Sequence, residues 1–160
     1  KILLSIDAIG DLAEVCRPPT KWATINENFL KYKESGLDIN CTSTLTILNI
    51  NRMNELVDWW QSNNNPKCHH KLWLSPCRQP TWLNPYNFSK EERKKWFTND
   101  KSINSHIHSN ETVNNPTSWQ NILKAIDITD TQFQVKAKNV NKEIYRIIKE
   151  KVKKEVDNPK

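Results

Sequence analysis

The chain has 160 residues, and its 36% content of hydrophobic residues is low for a compact soluble domain. Seven tryptophans and four phenylalanines compensate, because each buries a large area. The two glycines are too few for a glycine-rich phosphate-binding loop. No apolar run is long enough to cross a membrane, and no secretory signal precedes the first residues. We therefore expect a soluble, cytoplasmic protein.

The first predicted unit is a strand followed by a helix. Residues 2–7 form a short apolar run that ends in a polar Ser-x-Asp sequence, which is typical of a buried strand. A loop at Arg17-Pro18-Pro19 follows, and Thr20 is a candidate cap for a helix in which apolar residues recur every three or four positions. Gly36 is the predicted end of that helix.

Two further strands follow at similar spacing. Residues 38–46 alternate in polarity and are rich in Thr, which favours a strand. We expect Asn51 to cap the next helix, and residues 70–75 to form the third strand. Strands that begin near residues 2, 38 and 70 with a helix in each gap indicate βα units and a parallel sheet. Because three strands cannot close a barrel, one edge of this sheet would be bare, and we expect the chain to be a piece of a longer protein.

The second half of the chain differs from the first in its sequence pattern. Pro76, Pro80 and Pro85 mark an extended segment, and Ser89 with Glu92 forms a capping box for a short helix through residue 97. We predict a polar loop over residues 98–115, a helix starting at 116–118, and a last helix over about 139–156 with one apolar stripe. The chain thus divides into residues 1–80 and residues 81–160.

The strand ends carry a resemblance to a known family. Ser5-Ile6-Asp7, with Arg17 downstream, resembles the fourth-strand region of radical S-adenosylmethionine (SAM) proteins of the SPASM/twitch group, which read S-[IL]-D-G and then Y-[IL]-R. Thr46-Ile47-Leu48-Asn49 is similar to their fifth strand, and Leu72-Trp73-Leu74-Ser75-Pro76 to their sixth. The resemblance covers about residues 1–80, and it extends more weakly over residues 81–130.

The resemblance implies an α/β fold: the C-terminal βα units of a partial (βα)6 barrel, followed by a mostly helical or irregular twitch-like extension. The C-x-x-x-C-x-x-C loop that holds the family's [4Fe–4S] cluster does not occur in the sequence, so its ligands are expected upstream. Ala8 stands where the family usually has Gly, and Val15-Cys16 precedes Arg17 where the family has Tyr.

The resemblance also implies a cofactor site at the strand ends. Ser5 would bind the SAM ribose or amino-acid part, Asp7 would hold an ammonium or order Arg17, and Arg17 would clamp the carboxylate. Asn49 would close the site, and the backbone of Leu74 and Ser75 would meet the adenine edge. The structural alternative is that Ser5 and Asp7 cap turns and that Arg17 only pairs with Asp7 or Asp11.

Other chemistry-bearing residues give weaker signals. Cys68, His69, His70 and Cys77 lack the paired spacing of a zinc site, and His106 and His108 lie in the predicted polar loop, so we predict no metal site. Trp82, beside prolines after the third strand, is a candidate wall for a substrate.

The expected function is therefore part of a radical SAM enzyme that reductively cleaves SAM at a [4Fe–4S] cluster. Its substrate would be a peptide or a small molecule, and it would need an electron donor. The alternative is a catalytically inactive barrel remnant that binds a peptide or protein. Residues 136–160 hold nine Lys or Arg and four Asp or Glu, but no recognition motif supports nucleic-acid binding. We interpret this segment as the solvated face of a terminal helix.

Overall fold

The computed structural model describes residues 1–63, 71–96 and 101–158. It is a mixed α/β fold in which most residues are helical. The sheet has three parallel strands: β1 (Ile2–Ser5), β2 (Ile39–Leu45) and β3 (Leu72–Pro76), in the order β1-β2-β3. The three predicted strands and their parallel direction are confirmed, and residue 70 lies outside the described residues.

Three helices belong to the βα part: α1 (Gly10–Cys16), α2 (Trp22–Glu34) and α3 (Met53–Ser62). Gly36 has a φ of +71°, so the predicted glycine stop after α2 is confirmed, because this backbone conformation favours residues without a Cβ. Helix α1 was not predicted. It is only seven residues long, and its buried Leu12, Ala13 and Val15 give too short a pattern to read from sequence.

The prediction that Asn51 caps α3 is wrong. Residues Ile50–Arg52 form a 3-10 turn ahead of the helix, and no side chain caps α3. The Asn51 amide instead donates to Asn141 Oδ1 at 3.2 Å and to Glu143 at 2.6 Å. Its role is to tie the βα part to the C-terminal helices, which a local sequence pattern does not reveal.

After β3 the chain forms two 3-10 turns, at Thr81–Leu83 and Pro85–Asn87, and then helices only. The helices are α4 (Lys90–Arg93, continued by a 3-10 turn Lys94–Trp96), α5 (Lys101–Ile107), α6 (Trp119–Phe133), α7 (Ala137–Val140) and α8 (Lys142–Asp157). The capping box at Ser89 and Glu92 is confirmed, with Ser89 Oγ accepting from the Glu92 amide at 3.2 Å and the Glu92 carboxylate accepting from the Ser89 amide at 2.8 Å.

The prediction of a loop over residues 98–115 is wrong for residues 101–107, which form α5. Ile103 and Ile107 are both fully buried, and the helix lies against β3. Two apolar residues four positions apart place only one narrow stripe on a polar segment. Tertiary packing against that stripe, rather than helix propensity, stabilises α5.

The buried side chain of Arg93 connects several segments of residues 81–160. Its side chain is 1% exposed, and its guanidinium donates to the carbonyl oxygens of Phe88 at 2.5 Å, Ser109 at 2.5 Å and Ile107 at 3.3 Å. It also lies 4.9 Å from the centre of the Tyr86 ring. One buried cation therefore joins the start of α4 to the end of α5.

The two regions share one hydrophobic core. Buried residues of β2, α1, α2 and α3 belong to the same cluster as Ile122, Ile126, Ile144 and Ile148 of α6 and α8. At the junction, the Asn141 amide donates to the Leu48 carbonyl oxygen at 2.8 Å, and Arg52 donates to the Val140 carbonyl oxygen at 3.0 Å. The C-terminal helices are therefore packed against the loop that follows β2.

Among the described residues, no helix combines the length and the apolar character that crossing a lipid bilayer requires.

Candidate functional site at the carboxyl end of the sheet

The two faces of the sheet differ in what covers them. On one face, Ile39, Cys41 and Leu45 of β2 are fully buried and belong to the core with residues of α2 and α3. Side chains alternate between faces along a strand, so the intervening residues lie on the other face. There Leu3 is 63% exposed and Trp73 is 44% exposed. We call this the open face and define it by its exposed and partly exposed residues, Leu3, Ser5, Thr42, Thr44, Trp73 and Ser75; Asn40, opposite Leu3, is buried.

The strand register arranges the open face in cross-strand rows. Ser5 lies opposite Thr42, which lies opposite Trp73, and Thr44 lies opposite Ser75. Neighbours in a row are about 4.8 Å apart in the hydrogen-bonding direction. The open face thus carries four hydroxyl groups and one exposed indole. The Thr42 hydroxyl donates to the Leu4 carbonyl oxygen at 3.3 Å, and hydroxyl groups can both donate to and accept from a polar ligand.

Asp7 follows β1 at the carboxyl end of this face and holds Arg17. Both Nε and Nη2 of Arg17 donate to Asp7 Oδ2, at 3.0 and 2.8 Å. The other carboxylate oxygen accepts from the Thr44 backbone amide at 2.7 Å. The Asp7 side chain is 7% exposed, whereas that of Arg17 is 44% exposed. Asp7 is therefore a buried anchor, and Arg17 presents a positioned cation to solvent.

Asn49 lies behind Asp7 and connects the ends of β1 and β2. Its amide donates to the carbonyl oxygens of Asp7 at 2.7 Å and Thr44 at 2.9 Å. Its side-chain oxygen accepts from the Thr46 amide at 2.8 Å and from the Thr46 hydroxyl at 3.2 Å. The side chain is fully buried, and both of its polar atoms bond within the protein. Asn49 thus fixes the ends of β1 and β2 beside Asp7.

The three other predicted site residues occupy the strands. Ser5 and Ser75 are exposed on the open face, whereas the Leu74 side chain is partly buried on the covered face. Cys41 donates its amide to Lys71 and Leu45 accepts from the Cys77 amide, so the odd-numbered residues of β3 face β2. The backbone groups of Leu74 therefore point away from β2, at the outer edge of the sheet.

The structure brings four of the six predicted site residues to one place. Asp7, Arg17 and Asn49 form one hydrogen-bonded network, with Ser5 at the preceding open-face position of β1. Leu74 and Ser75 lie two strands away on β3. Sequence reasoning missed the Thr44 amide that anchors Asp7, and it missed Thr42 and Trp73 as members of the same face. The alternation of Thr42 and Thr44 along β2 was the signal that could have identified them.

The three cysteines that the structure describes all have a raised thiol pKa. Burial raises the pKa of the Cys41 thiol to about 12, and burial followed by the nearby Asp7 charge raises the pKa of Cys16 strongly. The Cys77 thiol is buried, and it donates to the Gln79 carbonyl oxygen at 3.1 Å. No group of three or more metal-ligating side chains occurs among the described residues. Cys68, His69 and His70 lie outside them.

The two remaining predictions concern histidines and a tryptophan. His106 lies in α5, with its Nδ1 at 3.2 Å from the Tyr86 hydroxyl. Trp82, predicted as a substrate wall, is partly buried against the hydrophobic core. The exposed tryptophan of the sheet is Trp73 instead.

Comparison with known proteins returns no match: no protein family, no curated protein and no solved structure is significantly similar to this chain.

Proposed function

We propose that this chain is the C-terminal part of a radical SAM enzyme, with residues 1–80 supplying βα units of a partial (βα)6 barrel and residues 81–160 a twitch-like extension. The observation that carries the proposal is the open face with a half-exposed Arg17 held by buried Asp7 at its carboxyl end. In parallel α/β folds, ligands bind at this end of the strands.

The sheet topology supports a barrel segment. The strands follow one another in the order β1-β2-β3, all parallel, with a helical crossover between each pair. Right-handed crossovers in this order place all the connecting helices on one face, as in a barrel. A doubly wound sheet would instead reverse its strand order and carry helices on both faces.

The edges of the sheet support the same proposal. Parallel sheets are usually covered on both faces, so an open face favours additional structure around it. The backbone amides of Ile2 and Ile6 donate toward β2, which leaves the backbone groups of Leu3 and Ser5 pointing outward. On the opposite edge, β3 ends at Pro76, which has no amide to donate to another strand. Further strands would therefore join at β1.

The residues present fit SAM. The exposed guanidinium of Arg17 suits the methionine carboxylate, because its geometry allows paired hydrogen bonds to carboxylate oxygens. Ser5 and Ser75 offer hydroxyls on the open face, and the Leu74 backbone lies at the sheet edge. Asp7 and Asn49 would hold Arg17 and the strand ends in place. When bound to a reduced cluster, SAM supplies the radical chemistry, while the protein supplies binding and orientation.

The residues that the structure describes do not fit the [4Fe–4S] cluster. The three described cysteines belong to no group of three metal-ligating side chains, and the sequence contains no C-x-x-x-C-x-x-C loop. The proposal therefore requires cluster ligands outside these residues, in a C-x-x-x-C-x-x-C loop, and an electron donor to reduce the cluster. It also places the protein in the cytoplasm, where a peptide or small-molecule substrate would be modified.

A second candidate function is a catalytically inactive barrel remnant that binds a peptide. It is favoured by the exposure of Leu3 and Trp73 on the open face, because exposed large apolar side chains on a sheet suit contact with another chain. Ala8, where the family usually has Gly, is 3% exposed and packs in the core, so this position no longer needs the freedom of glycine.

The experiment is a calorimetric titration of SAM into the protein encoded by the complete reading frame, with its cluster reconstituted. Arg17→Ala should weaken SAM binding by about tenfold or more, equivalent to about 1.4 kcal/mol. Arg146→Ala is the matched control, because Arg146 is 64% exposed on α8 and pairs only with Glu150 in the same helix. Absence of SAM binding would exclude the enzyme function and leave the binding module, whereas SAM binding with an equal effect of both variants would exclude Arg17 as the carboxylate clamp.

A further inference from the structure

An open groove lies along α6, with α8 at one side. It has a volume of about 680 Å³ and is lined by Leu123, Ile128 and Thr131 of α6 and Val152 of α8. Ile128 is 55% exposed. At one wall, Asp127 accepts a hydrogen bond from the Tyr145 hydroxyl at 3.3 Å, which joins the two helices. The floor of the groove is therefore apolar and its walls are fixed relative to each other.

A stripe of cations runs along α8 beside this groove. The stripe consists of Lys142, Arg146, Lys149 and Lys153, all exposed, which recur at spacings of four, three and four residues. Residues at these spacings share one face of a helix. Lys149 is also the i−3 neighbour of Val152 in the groove wall, so the stripe borders the apolar floor. Lys124, on the α6 side, lines the groove itself.

Two of the four acidic side chains of α8, Glu143 and Glu155, accept hydrogen bonds from other elements of the protein and not from this stripe. Glu143 accepts from the Asn51 amide at 2.6 Å and the Trp96 indole at 3.2 Å. Glu155 accepts from the Trp119 and Gln120 amides at 2.9 and 3.2 Å, at the start of α6. Glu150 pairs with Arg146 of the stripe at 2.6 Å, and exposed Asp157 lies four residues after Lys153, so four cations face two carboxylates. The outward face of α8 therefore keeps a net positive charge.

We propose that this groove docks an acidic amphipathic helix of a partner protein. The apolar side chains of such a helix would lie on Leu123, Ile128 and Val152, and its carboxylates would face the cationic stripe. A nucleic acid fits less well, because phosphates would gain nothing from the apolar floor. A lipid surface fits less well, because the apolar residues lie in a concave groove and not on a protruding face. The groove contains none of the residues proposed to bind SAM. An experiment can therefore contradict either proposal without affecting the other.

The test uses a fluorescently labelled, synthetic amphipathic helical peptide of about 18 residues, with Leu on one face and Glu on the other. Binding to the full-length protein is followed by fluorescence anisotropy. The scrambled peptide of the same composition is the probe control. We expect micromolar binding of the amphipathic peptide, and weakening by about tenfold in both Ile128→Glu and the double variant Lys149→Glu/Lys153→Glu.

The matched control is Lys31→Glu/Lys71→Glu, which changes the net charge equally on the exposed surface of α2 and the start of β3. This variant should bind the peptide as the parent protein does. Equal weakening by both double variants, or no effect of Ile128→Glu, would overturn the proposal. So would tight binding of anionic vesicles or duplex DNA in place of the peptide, or a dimer of the parent protein that Ile128→Glu dissociates.

Discussion

Arg93 and Arg17 both bond to buried groups of the protein, and they differ in how much of the guanidinium is available to a ligand. Arg93 is 1% exposed, and its guanidinium donates to three backbone carbonyl oxygens. Arg17 is 44% exposed and shares only one carboxylate, that of Asp7. Burial of charge is therefore not by itself the sign of a site. A cation marks a site when a buried partner positions it while part of it still faces solvent.

The pKa of Arg93 reflects the burial of its guanidinium. Burial lowers it below its ordinary value, and the nearby Tyr86 and Glu91 only partly offset that effect. A cation that is surrounded by carbonyl oxygens without a hydrogen-bonded carboxylate has a structural function, because its removal leaves several acceptors unsatisfied.

The largest expected effect is on Arg93. Arg93→Met should lower the free energy of unfolding by about 3 kcal/mol or more, because three carbonyl oxygens lose their donor. Urea unfolding monitored by tryptophan fluorescence measures it. Arg78→Met is the matched control, since Arg78 is 68% exposed and pairs with Glu111 at the surface. A loss as small as that of the control would show that the carbonyl network contributes little to stability.

The second largest effect on the free energy of unfolding is expected for Asp7. Asp7→Ala should cost about 2 kcal/mol, because the Thr44 amide and the Arg17 guanidinium both lose their acceptor. Asp7→Asn keeps a side-chain oxygen for Thr44 and should cost less. Denaturant titration of the two variants separates the amide contact from the charge pair. If both variants lose the same stability, the contact with Thr44 is not important for the fold.

A smaller stability effect is expected for Arg17. Arg17→Ala should cost only about 1 kcal/mol or less, since half-exposed ion pairs contribute little. The same variant should nevertheless lose most SAM affinity. This separation of stability from binding is the signature that distinguishes Arg17 from Arg93. A large loss of stability in Arg17→Ala would show that Arg17, like Arg93, mainly stabilises the fold.

The smallest effect on the free energy of unfolding is expected for Glu92. Burial raises the pKa of its carboxyl, but hydrogen bonds from Lys151 and the Ser89 amide outweigh burial, and the pKa lies below its ordinary 4.5. A lowered pKa in the folded state adds stability above pH 4.5, and that stability is lost as the pH falls through the folded-state value.

Glu92→Gln should therefore cost about 0.2 to 1 kcal/mol at pH 7, and its difference from the parent protein should shrink toward pH 3. Urea titrations at the two pH values measure it. Glu91→Gln, exposed on the same helix, is the control and should show little difference at either pH. A difference between Glu92→Gln and the parent that grew as the pH fell would contradict the account.

Short-range patterns explain what could be predicted from sequence. The apolar runs and the Thr alternation of β2 indicated the strands, and Ser89 with Glu92 indicated the start of α4, because these signals lie within a few residues. Helix α5 could not be predicted, because its two buried isoleucines gain their stability from contacts distant in sequence. The same holds for Asn51, which bonds to residues of α8 and its cap.

The candidate site was predictable only in part. Ser5, Asp7 and Arg17 were proposed as site residues from a family resemblance that stays a prediction. The pairing of Arg17 with Asp7 was one of two alternatives that sequence left open, and the structure shows it. Nothing in the sequence indicated that Asn49 would bond only to backbone and to Thr46, since that depends on how β1 and β2 end beside each other. Trp73 was assigned to no face, because the register of β3 was unknown.

The most direct test of the central claim is hydrogen–deuterium exchange of the protein from the complete reading frame, with and without SAM. If SAM binds at the open face, exchange should slow in peptides that contain Ser5 to Asp7, Arg17 and the end of β3. Peptides that contain Arg93 should show no change. Arg17→Ala should remove the protection. Protection confined to residues 86–111, or none anywhere in the chain while SAM is bound, would contradict the placement of the site at the open face.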